Sequence, residues 1–420
     1  MKASRIKLVS IGLLLLCSIV VNFTGCASKI KATNLMDEIT PRNVSVSYNL
    51  KDGNASVTDF AVRLFKATSE NKKNNTLISP LSVLAALAMT VNGARGDTLL
   101  QMEAVLGMKA QELNLYLYNY INALPQADNY KLSVANSIWF TDDESFTVNK
   151  DFLQINADFY GADIYKAPFD NRTLKDINNW VKDKTDKMIP KILEEISPET
   201  VMYLINALAF EAEWIQAYEK TQVHDNIFTK EDGTKQDVKL MYSRVGKYIY
   251  DKNATGFIKY YKGSKYAFVA LLPNEGVTVS EYVNSLDGEA LNALLIEAEN
   301  RGVETAIPKF ETEYDIEMSA ILKSMGMTNA FDIACADLSG IGTFNDSNLS
   351  IDEVIHKTYI QVGEKGTKAG AVTAVGVKND LAPDPSETKR VILDRPFVYM
   401  LIDCENNIPF FIGTMMDVNN

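Results

Sequence analysis

Apolar and polar residues follow one another along this chain with two spacings, and each spacing predicts one kind of element. Apolar residues three or four positions apart are typical of a helix that buries one face. Helices are predicted in this way over residues 56–72, 151–160, 173–185 and 315–325. A fifth helix is predicted over residues 81–91, where only Ser82 and Thr90 are polar. About 11 residues are too few to span a membrane, so a helix that is apolar on nearly every side is expected in the core.

The ends of this apolar helix carry recognisable signals. A serine can cap the N-terminus, a proline fits the first turn and a glycine can stop a helix. These residues are Ser79, Pro80 and Gly93. The sequence therefore predicts both the position and the burial of this helix.

Continuous apolar runs and alternating positions predict the strands. In the run over residues 201–210, Asn206 is the only polar side chain besides the Tyr203 hydroxyl. This run indicates a strand covered on both faces, with a buried amide that needs partners. Pro308 lies inside the strand predicted over residues 303–310 and indicates a sheet edge or a bulge. Further strands are predicted over residues 132–140, 266–272, 349–362, 396–403 and 408–414.

Residues 363–377, with the sequence GEKGTKAGAVTAVGV, combine flexibility with a strand pattern. In an extended chain one face carries Thr367, Ala369, Ala371, Thr373, Val375 and Val377, and the other carries Lys368, Gly370, Val372, Ala374, Gly376 and Lys378. The first face can be buried in a sheet while the lysines on the second face meet solvent. The pattern predicts a strand with two states, although a small-residue linker or a weak edge strand has the same composition.

Composition and charge narrow the possible functions. The chain has 42 basic and 54 acidic residues, a net charge of −12, which argues against nucleic acid as a partner. Outside the first 26 residues the cysteines are Cys335 and Cys404, and neither has the spacing or histidine neighbours of a metal site. We expect two buried free thiols, no metal and no cofactor.

The N-terminus has the features of an export signal. Basic residues precede an apolar run over residues 8–23, and Thr24, Gly25 and Cys26 follow it. The segment is similar to a bacterial lipoprotein signal, in which Cys26 is lipidated; a plain secretory signal or an uncleaved anchor is the alternative. We expect an exported protein, at the outer face of the cell membrane or secreted. Residues 27–55 lack periodicity and are predicted to be a tether.

Many segments share their residues and their order with one protein family. They are the apolar helix with its SPLS start, INNWVKDKT (177–185), LINALAFEAEW (204–214), VALLPNE (269–275), IPKFETEYDI (307–316), VIHKTYIQVGEKGTKAGAVTAV (354–375), RPFVYMLID and PFFIGTMM. Together they resemble the serpins, the serine protease inhibitors. There are two departures: Lys368 stands where many members carry an acidic residue, and the segment over residues 366–396 is longer than usual.

The resemblance implies an α+β serpin fold. Residues 56–420 would form one large domain with three β-sheets, about nine helices and an exposed reactive-centre loop over about residues 366–390. The implied activity is suicide inhibition of serine proteases, with cysteine proteases as further candidates. The protease attacks the loop and forms an acyl-enzyme, and the freed N-terminal half of the loop then enters the central sheet. The expected partner is a target protease, bound covalently by a monomeric chain that meets the membrane only through its N-terminal lipid.

The resemblance also implies roles for individual residues. The hinge would be formed by Glu364, Gly366, Thr367, Ala369, Ala371 and Thr373, and the hydrogen-bonded cluster under the sheet, or shutter, by Ser79, Ser82, Asn206 and His356. Trp214 would lie at the breach, where the loop first enters the sheet. A glycine at the hinge is expected because it adopts backbone conformations that other residues avoid.

The position of the cleaved bond is predicted by the usual spacing of the family from Glu364. That spacing places the bond between Asp380 and Leu381. Because the loop is long, Val377, Lys378 and Ala382 remain alternatives, and they favour different proteases. Val377 or Ala382 suits an elastase-like pocket, Lys378 a trypsin-like pocket, and Leu381 a chymotrypsin- or subtilisin-like pocket.

Two other classes of function fit the sequence less well. An enzyme is disfavoured because GxSxG, HExxH and phosphate-loop motifs are lacking and the histidines are only His224 and His356. A non-inhibitory serpin that acts as a binding or carrier module is the alternative function. It would have bulky, charged or proline residues on the inward face of the hinge, where this chain has small ones.

Overall fold

The computed structural model of the chain describes residues 30–70, 73–125, 127–197, 199–344, 348–367 and 388–419. Nine α-helices lie within them: α1 (Leu50–Ser69), α2 (Pro80–Val91), α3 (Gly96–Leu106), α4 (Ala110–Ala123), α5 (Lys150–Tyr160), α6 (Asn171–Lys184), α7 (Val279–Ser285), α8 (Gly288–Ile296) and α9 (Ser319–Ser324). None of the helices in these ranges is long and apolar enough to cross a membrane.

The strands of the described residues form three sheets. They are β1 (Thr33–Asn34), β2 (Thr76–Ile78), β3 (Tyr130–Thr141), β4 (Thr147–Val148), β5 (Asp163–Ala167), β6 (Met202–Glu213), β7 (Val223–Thr229), β8 (Lys235–Tyr250), β9 (Ala254–Tyr260), β10 (Tyr266–Pro273), β11 (Glu299–Pro308), β12 (Phe310–Glu317), β13 (Gly342–Thr343), β14 (Glu353–Val362), β15 (Gly366–Thr367), β16 (Lys389–Ile392), β17 (Phe397–Asp403) and β18 (Ile408–Met415).

The central sheet has seven strands in the order β1-β5-β3-β6-β15-β14-β12. A nine-stranded sheet has the order β16-β11-β8-β9-β10-β17-β18-β2, with β7 paired to β8, and β13 pairs with β4 in a third sheet. Three sheets and nine helices confirm the α+β architecture that the sequence predicts.

Helix α2 lies between the two large sheets, where it contacts β6 and β3 on one side and β18 on the other. All of its residues are buried, as predicted. Ser79 is the N-cap, since its Oγ accepts a hydrogen bond from the Ser82 N–H, and Pro80 follows. Gly93 has a different role from the predicted one, because a Cβ there would lie 2.1 Å from the Ile341 side chain. Close packing therefore requires this glycine.

The first helix begins earlier than predicted, and the segment before it is not a free tether where the structure describes it. Asn49 caps α1 by accepting a hydrogen bond from the Lys51 N–H. Gly53 lies within α1, where a Cβ would meet the Tyr116 ring at 2.4 Å. Upstream, β1 pairs with β5, and the N–H groups of residues 31 and 32 donate to Asp176.

Three further predictions need correction. Residues 315–325 are not one helix: β12 continues to Glu317, paired with β14 throughout, before the short helix α9. Cys335 and Cys404 are free, but Cys335 is exposed in a turn and Cys404 is partly buried. Pro308 is the last residue of β11, an internal strand whose bulge lies between Asn300 and Val303 instead. A proline is tolerated there because it removes only a terminal ladder bond.

The two faces of the central sheet pack against different layers. On β6, Leu204, Leu208 and Phe210 belong to the main core, whereas Tyr203, Ile205 and Ala207 pack in a second cluster with residues of α6 and the segment after it. At these three positions the outer face of β6 is therefore covered by protein. This confirms the prediction that the strand over residues 201–210 is covered on both faces, because α6 supplies an apolar layer, including Ile177 and Trp180, over the outer one.

Candidate functional site at the opening of the central sheet

The central sheet is partly opened between β6 and β14. These parallel strands pair directly at one end, from Glu353 opposite Tyr203 to Lys357 opposite Ala207. At the other end β15 lies between them and is antiparallel to both. Among the described residues, no strand fills the interval between these two pairings. The two residues of β15 thus occupy the entrance to a gap that no other described residue fills.

Gly366 is required at this entrance because the backbones approach closely. It lies opposite Glu213 on β6, and an added Cβ would lie 1.9 Å from the Ala212 carbonyl oxygen. Such a distance is far below any real contact, so a larger residue would push β15 away from β6. The sequence singles out this glycine for its backbone freedom, and its φ of +159° agrees with that prediction; the lack of space for a Cβ is a second reason.

Thr367 is the first hinge residue whose side chain is buried inside the sheet. It lies opposite Ala212 on β6 and Val362 on β14, and it is 1% exposed. Its Oγ1 is 2.5 Å from the hydroxyl of Tyr261, which is itself fully buried. This hydrogen bond satisfies two hydroxyls in an apolar surrounding. The inward face predicted for Thr367 agrees with this position.

Trp214 and Tyr218 hold the turn that precedes β15. The Trp214 backbone N–H donates to the Lys365 carbonyl at 2.9 Å, and its indole Nε1–H donates to the Gly363 carbonyl at 2.9 Å. The Tyr218 N–H donates to the Glu364 carbonyl at 2.8 Å. The Trp214 ring stacks on Tyr261 with ring centroids 4.4 Å apart. Trp214 therefore lies at the entrance of the gap, next to the hinge.

The Glu364 side chain faces outward and pairs with Lys309, with 2.8 Å between Oε1 and Nζ. Hydrogen bonding to Lys309 favours the ionised carboxyl and, against the effect of burial, lowers the pKa of Glu364. Both side chains are more than one-third exposed, so the ion pair contributes little to stability.

Ser79, Ser82, Asn206 and His356 meet where β6 and β14 are still paired. The Asn206 Oδ1 accepts from the Ser82 hydroxyl at 3.2 Å and lies 2.5 Å from the His356 Nδ1. The Asn206 Nδ2 donates to the Ile355 carbonyl at 3.1 Å, across the two strands. The backbone N–H of Ser79 donates to the His356 Nε2 at 3.0 Å. The structure thus brings together the four residues assigned to the shutter.

This hydrogen bonding defines the state of the His356 ring. Because Nε2 accepts a hydrogen bond from a backbone N–H, the proton is on Nδ1 and the ring is neutral. Complete burial lowers the pKa of His356 to about 3, which is consistent with a neutral ring at physiological pH.

The cluster also fixes the distance between the two strands. One turn of α2 contacts both, since Ser79 binds His356 on β14 and Ser82 binds Asn206 on β6. Inserting a strand between β6 and β14 widens their separation by about 4.8 Å. Both contacts cannot survive that change, so the cluster must rearrange before the gap can extend.

Some predicted site residues lie outside the described residues. They are Cys26, Ala369, Ala371, Thr373, Val377, Lys378, Asp380, Leu381 and Ala382. The hinge has further contacts that the sequence does not reveal, namely Tyr261, Tyr218 and Lys309. Lys309 lies within a family-like segment, but nothing in the local pattern marks either tyrosine.

Comparison with known proteins identifies the family. A family model described as Serpin (serine protease inhibitor) matches residues 55–418.

The chain belongs to the serpin family.

This match confirms the family assignment made from the sequence. Serpins are protease inhibitors rather than enzymes. The leukocyte elastase inhibitor of Xenopus tropicalis is 31% identical over 338 residues, which is 76% of this chain and 88% of that protein.

Two solved structures of one relative differ in their similarity to this serpin. The thermophilic serpin tengpin in its native state is 48% identical, covers 92% of this chain and 99% of its own, and superposes with a TM-score of 0.87. The latent state of tengpin, at 47% identity, covers 90% of this chain and 100% of its own, with a TM-score of 0.77. The fold described here is therefore more similar to the native form, in a family with an alternative stable form.

Proposed function

We propose that this serpin inhibits serine proteases by covalent trapping, in which the cleaved loop becomes a full strand of the central sheet. One observation carries the proposal. Gly366 and Thr367 already occupy the strand position between β6 and β14, in antiparallel register with both, above a gap that matches one further strand. Small Ala, Thr and Val residues follow on the inward face of the sequence, as such a strand requires.

The register at the entrance predicts the register of the inserted strand. Continuing from Thr367 opposite Ala212 and Val362, residue 376 comes opposite Tyr203 and Glu353, which now face each other. Thr373 comes between Asn206 and His356 and separates them. Lys368 comes opposite Glu211 on the outer face, so the departure from the acidic residue of other serpins creates an opposite-charge pair.

The energy of insertion is large enough to drive the process. Residues 368–376 would gain hydrogen bonds on both sides and lose the direct β6–β14 pairing, a net gain of about a dozen bonds at about 1 kcal/mol each. Burial of the inward side chains adds about 25 cal/mol per Å² of apolar surface. The total is on the order of 10 kcal/mol, which makes the uncleaved form a kinetically trapped state.

The reaction with the protease is the acylation step of normal serine-protease catalysis. The hydroxyl of the protease serine attacks the carbonyl of the residue before the cleaved bond, the peptide C–N bond breaks, and the new amine leaves with the C-terminal segment. An ester joins the inhibitor to the protease. With Asp380 as the acyl residue, 13 residues beyond Thr367 at about 3.3 Å each carry the protease about 40 Å along the sheet. Val377, Lys378, Leu381 and Ala382 remain alternatives for this residue.

The test is incubation with a panel of serine proteases of Asp-preferring, elastase, trypsin, chymotrypsin and subtilisin specificity. We expect a complex that survives denaturing electrophoresis with at least one of them, and a released C-terminal peptide whose first residue identifies the cleaved bond by mass spectrometry. The cleaved inhibitor should melt at a clearly higher temperature than the intact one. Clean cleavage by every protease, with an unchanged melting temperature, would show that this serpin is a binding module.

We further propose that the chain is exported and anchored through lipid on Cys26. The basic, apolar and cysteine-ended pattern of residues 1–26 supports this proposal. Metabolic labelling with a radioactive fatty acid should mark the wild type and leave Cys26→Ser unlabelled. A labelled Cys26→Ser variant, or an unlabelled wild type, would contradict it.

A further inference from the structure

A buried lysine lies beneath the entrance to the gap. Lys259 on β9 is 6% exposed, and its Nζ lies 4.5 Å from the ring centroid of Tyr218 and 5.3 Å from that of Trp214. Its hydrogen-bonding neighbour is the Ser243 hydroxyl at 3.4 Å. Among the described residues no carboxylate forms an ion pair with it. A cation buried without an anion depends on the faces of these two rings for stabilisation.

The two rings that contact Lys259 belong to the residues that hold the hinge. Trp214 and Tyr218 together donate three hydrogen bonds to the carbonyls of residues 363, 364 and 365. Lys259 contacts Trp214 and Tyr218, and these two residues in turn contact the turn over residues 363–365. A change in its charge acts directly on both rings and only through them on the turn.

The elements packed around Lys259 contribute neutral groups. They are Ser243 on β8, Thr305 on β11, which hydrogen-bonds Ser243, Phe268 on β10, which pairs with Lys259 across the strands, and the rings of Trp214 and Tyr218. Burial raises the pKa of the Tyr218 hydroxyl far above its usual value, so it stays neutral. On the hinge turn, Glu364 is paired with Lys309, and Lys365 is exposed. Burial lowers the pKa of Lys259 to about 7.

We infer that Lys259 is a positioning residue for loop insertion, because its ammonium group fixes Trp214 and Tyr218 and so aims Thr367 into the gap. The inference rests on the inhibitory function proposed above. When the ammonium loses its proton, the attraction of the ring faces is lost and the turn over residues 363–365 is held less firmly. Insertion after cleavage then starts from a poorly seated hinge, and more of the acyl-enzyme hydrolyses.

The same burial has the opposite effect on the stability of the fold. The unfolded chain holds the proton more tightly than the native state between pH 7 and the ordinary lysine value near 10.5, so native stability rises with pH across that window. At pH 7 and below, the buried charge destabilises the native state. A neutral residue of similar length should therefore stabilise the fold while it impairs inhibition, a combination that a merely structural lysine would not give.

The test compares wild type, Lys259→Met and Lys259→Arg against a protease that forms the covalent complex. The measurement is the number of inhibitor molecules consumed per protease trapped, at pH 6, 7 and 8.5. At pH 6 we expect wild type and Lys259→Arg to consume the same number of inhibitor molecules per protease trapped. The loop of Lys259→Met should insert roughly fivefold more slowly, as the loss of one desolvated cation–π contact implies. At pH 8.5 wild type should match Lys259→Met. Because Lys259→Arg stays charged, it corrects for the pH dependence of the protease.

A second measurement needs no protease. Tryptophan fluorescence of intact wild type should show a transition near pH 7 that both variants lack, and Lys230→Met, at a half-buried lysine paired with Asp417, should keep it. The role of Lys259 would be overturned, and the inhibitory function would stand, in either of two cases. Wild type could trap protease but show no fluorescence transition, or Lys259→Met could trap protease as efficiently as wild type at pH 6. Wild type that traps no protease would overturn the inhibitory function, and the role of Lys259 in insertion with it.

Discussion

Replacement of Thr367 by glutamate is the sharpest test of the seated hinge. Thr367 is 1% exposed, and the Tyr261 hydroxyl is its side-chain hydrogen-bond partner. Burial raises the pKa of Tyr261 well above its usual value, so Tyr261 offers one neutral donor and no positive charge. A carboxylate in this position would lose its hydration for a single hydrogen bond. Burying such a charge costs several kcal/mol, so we expect insertion to slow at least about a hundredfold.

Two milder variants grade the effect. Thr367→Ser keeps the hydroxyl and should trap protease nearly as well as wild type. Thr367→Val keeps the shape but leaves the Tyr261 hydroxyl without its partner, at a cost of about 1–3 kcal/mol. Adding Tyr261→Phe to Thr367→Val removes the unpaired group and should recover part of the loss. The double-mutant cycle isolates the energy of this one contact.

The assay follows the fraction of protease trapped and the fraction of inhibitor cleaved in the same reaction. Thr367→Glu should be cleaved at the wild-type rate, because the cleaved bond lies several residues away, yet it should give little covalent complex. Equal trapping by Thr367→Glu and wild type would refute insertion through this site. Loss of cleavage as well would show that the substitution disturbs the loop itself.

Other predictions concern the neighbouring residues. Gly366→Ala should strongly lower the fraction of protease trapped, because its Cβ would lie 1.9 Å from the Ala212 carbonyl oxygen. The matched control Gly363→Ala should trap protease normally, because its Cβ meets nothing within 4 Å. Equal effects of the two substitutions would contradict the close approach of the backbones. His356 has a pKa of about 3 in the fold and about 6.5 when unfolded, so its contribution to stability is complete above pH 6.5 and is lost as the pH falls towards 3, by up to about 1.4 kcal/mol per unit. Urea unfolding at pH 7, 5.5 and 4.5 should show that His356→Gln is less sensitive to acid than wild type, and parallel losses in both proteins would argue against this source.

The sequence predicted those elements whose local pattern agrees with their final environment. Helix α2 is apolar all round and carries its own capping residues, and Asn206 stands out as the polar side chain of a buried strand. The first turns of α1 have no clear local signal, because Gly53 disfavours a helix and its contact with Tyr116 forms only in the folded protein. The segment over residues 315–325 was assigned to a helix because its strand pairing with β14 is not visible locally.

The contacts of the site itself could be predicted only in part. The family-like segments placed Trp214, Thr367 and the four shutter residues together, and the structure brings them to one opening. Tyr261 and Lys259 carry no local signal, because they meet Thr367 and Trp214 only after β9 has packed beneath the central sheet. Contacts of this kind depend on tertiary packing between segments far apart in sequence.

The first turn of α2 is hydrogen-bonded to both β6 and β14, which must separate when a strand is inserted. This determines which part of the protein moves with the helix during the reaction. After separation the helix can remain with β6 through Ser82 and Asn206, or with β14 through Ser79 and His356. The surviving bond identifies which half of the protein stays fixed to the helix and which half slides. It therefore also indicates which of the two halves moves relative to the helix while the protease is carried away.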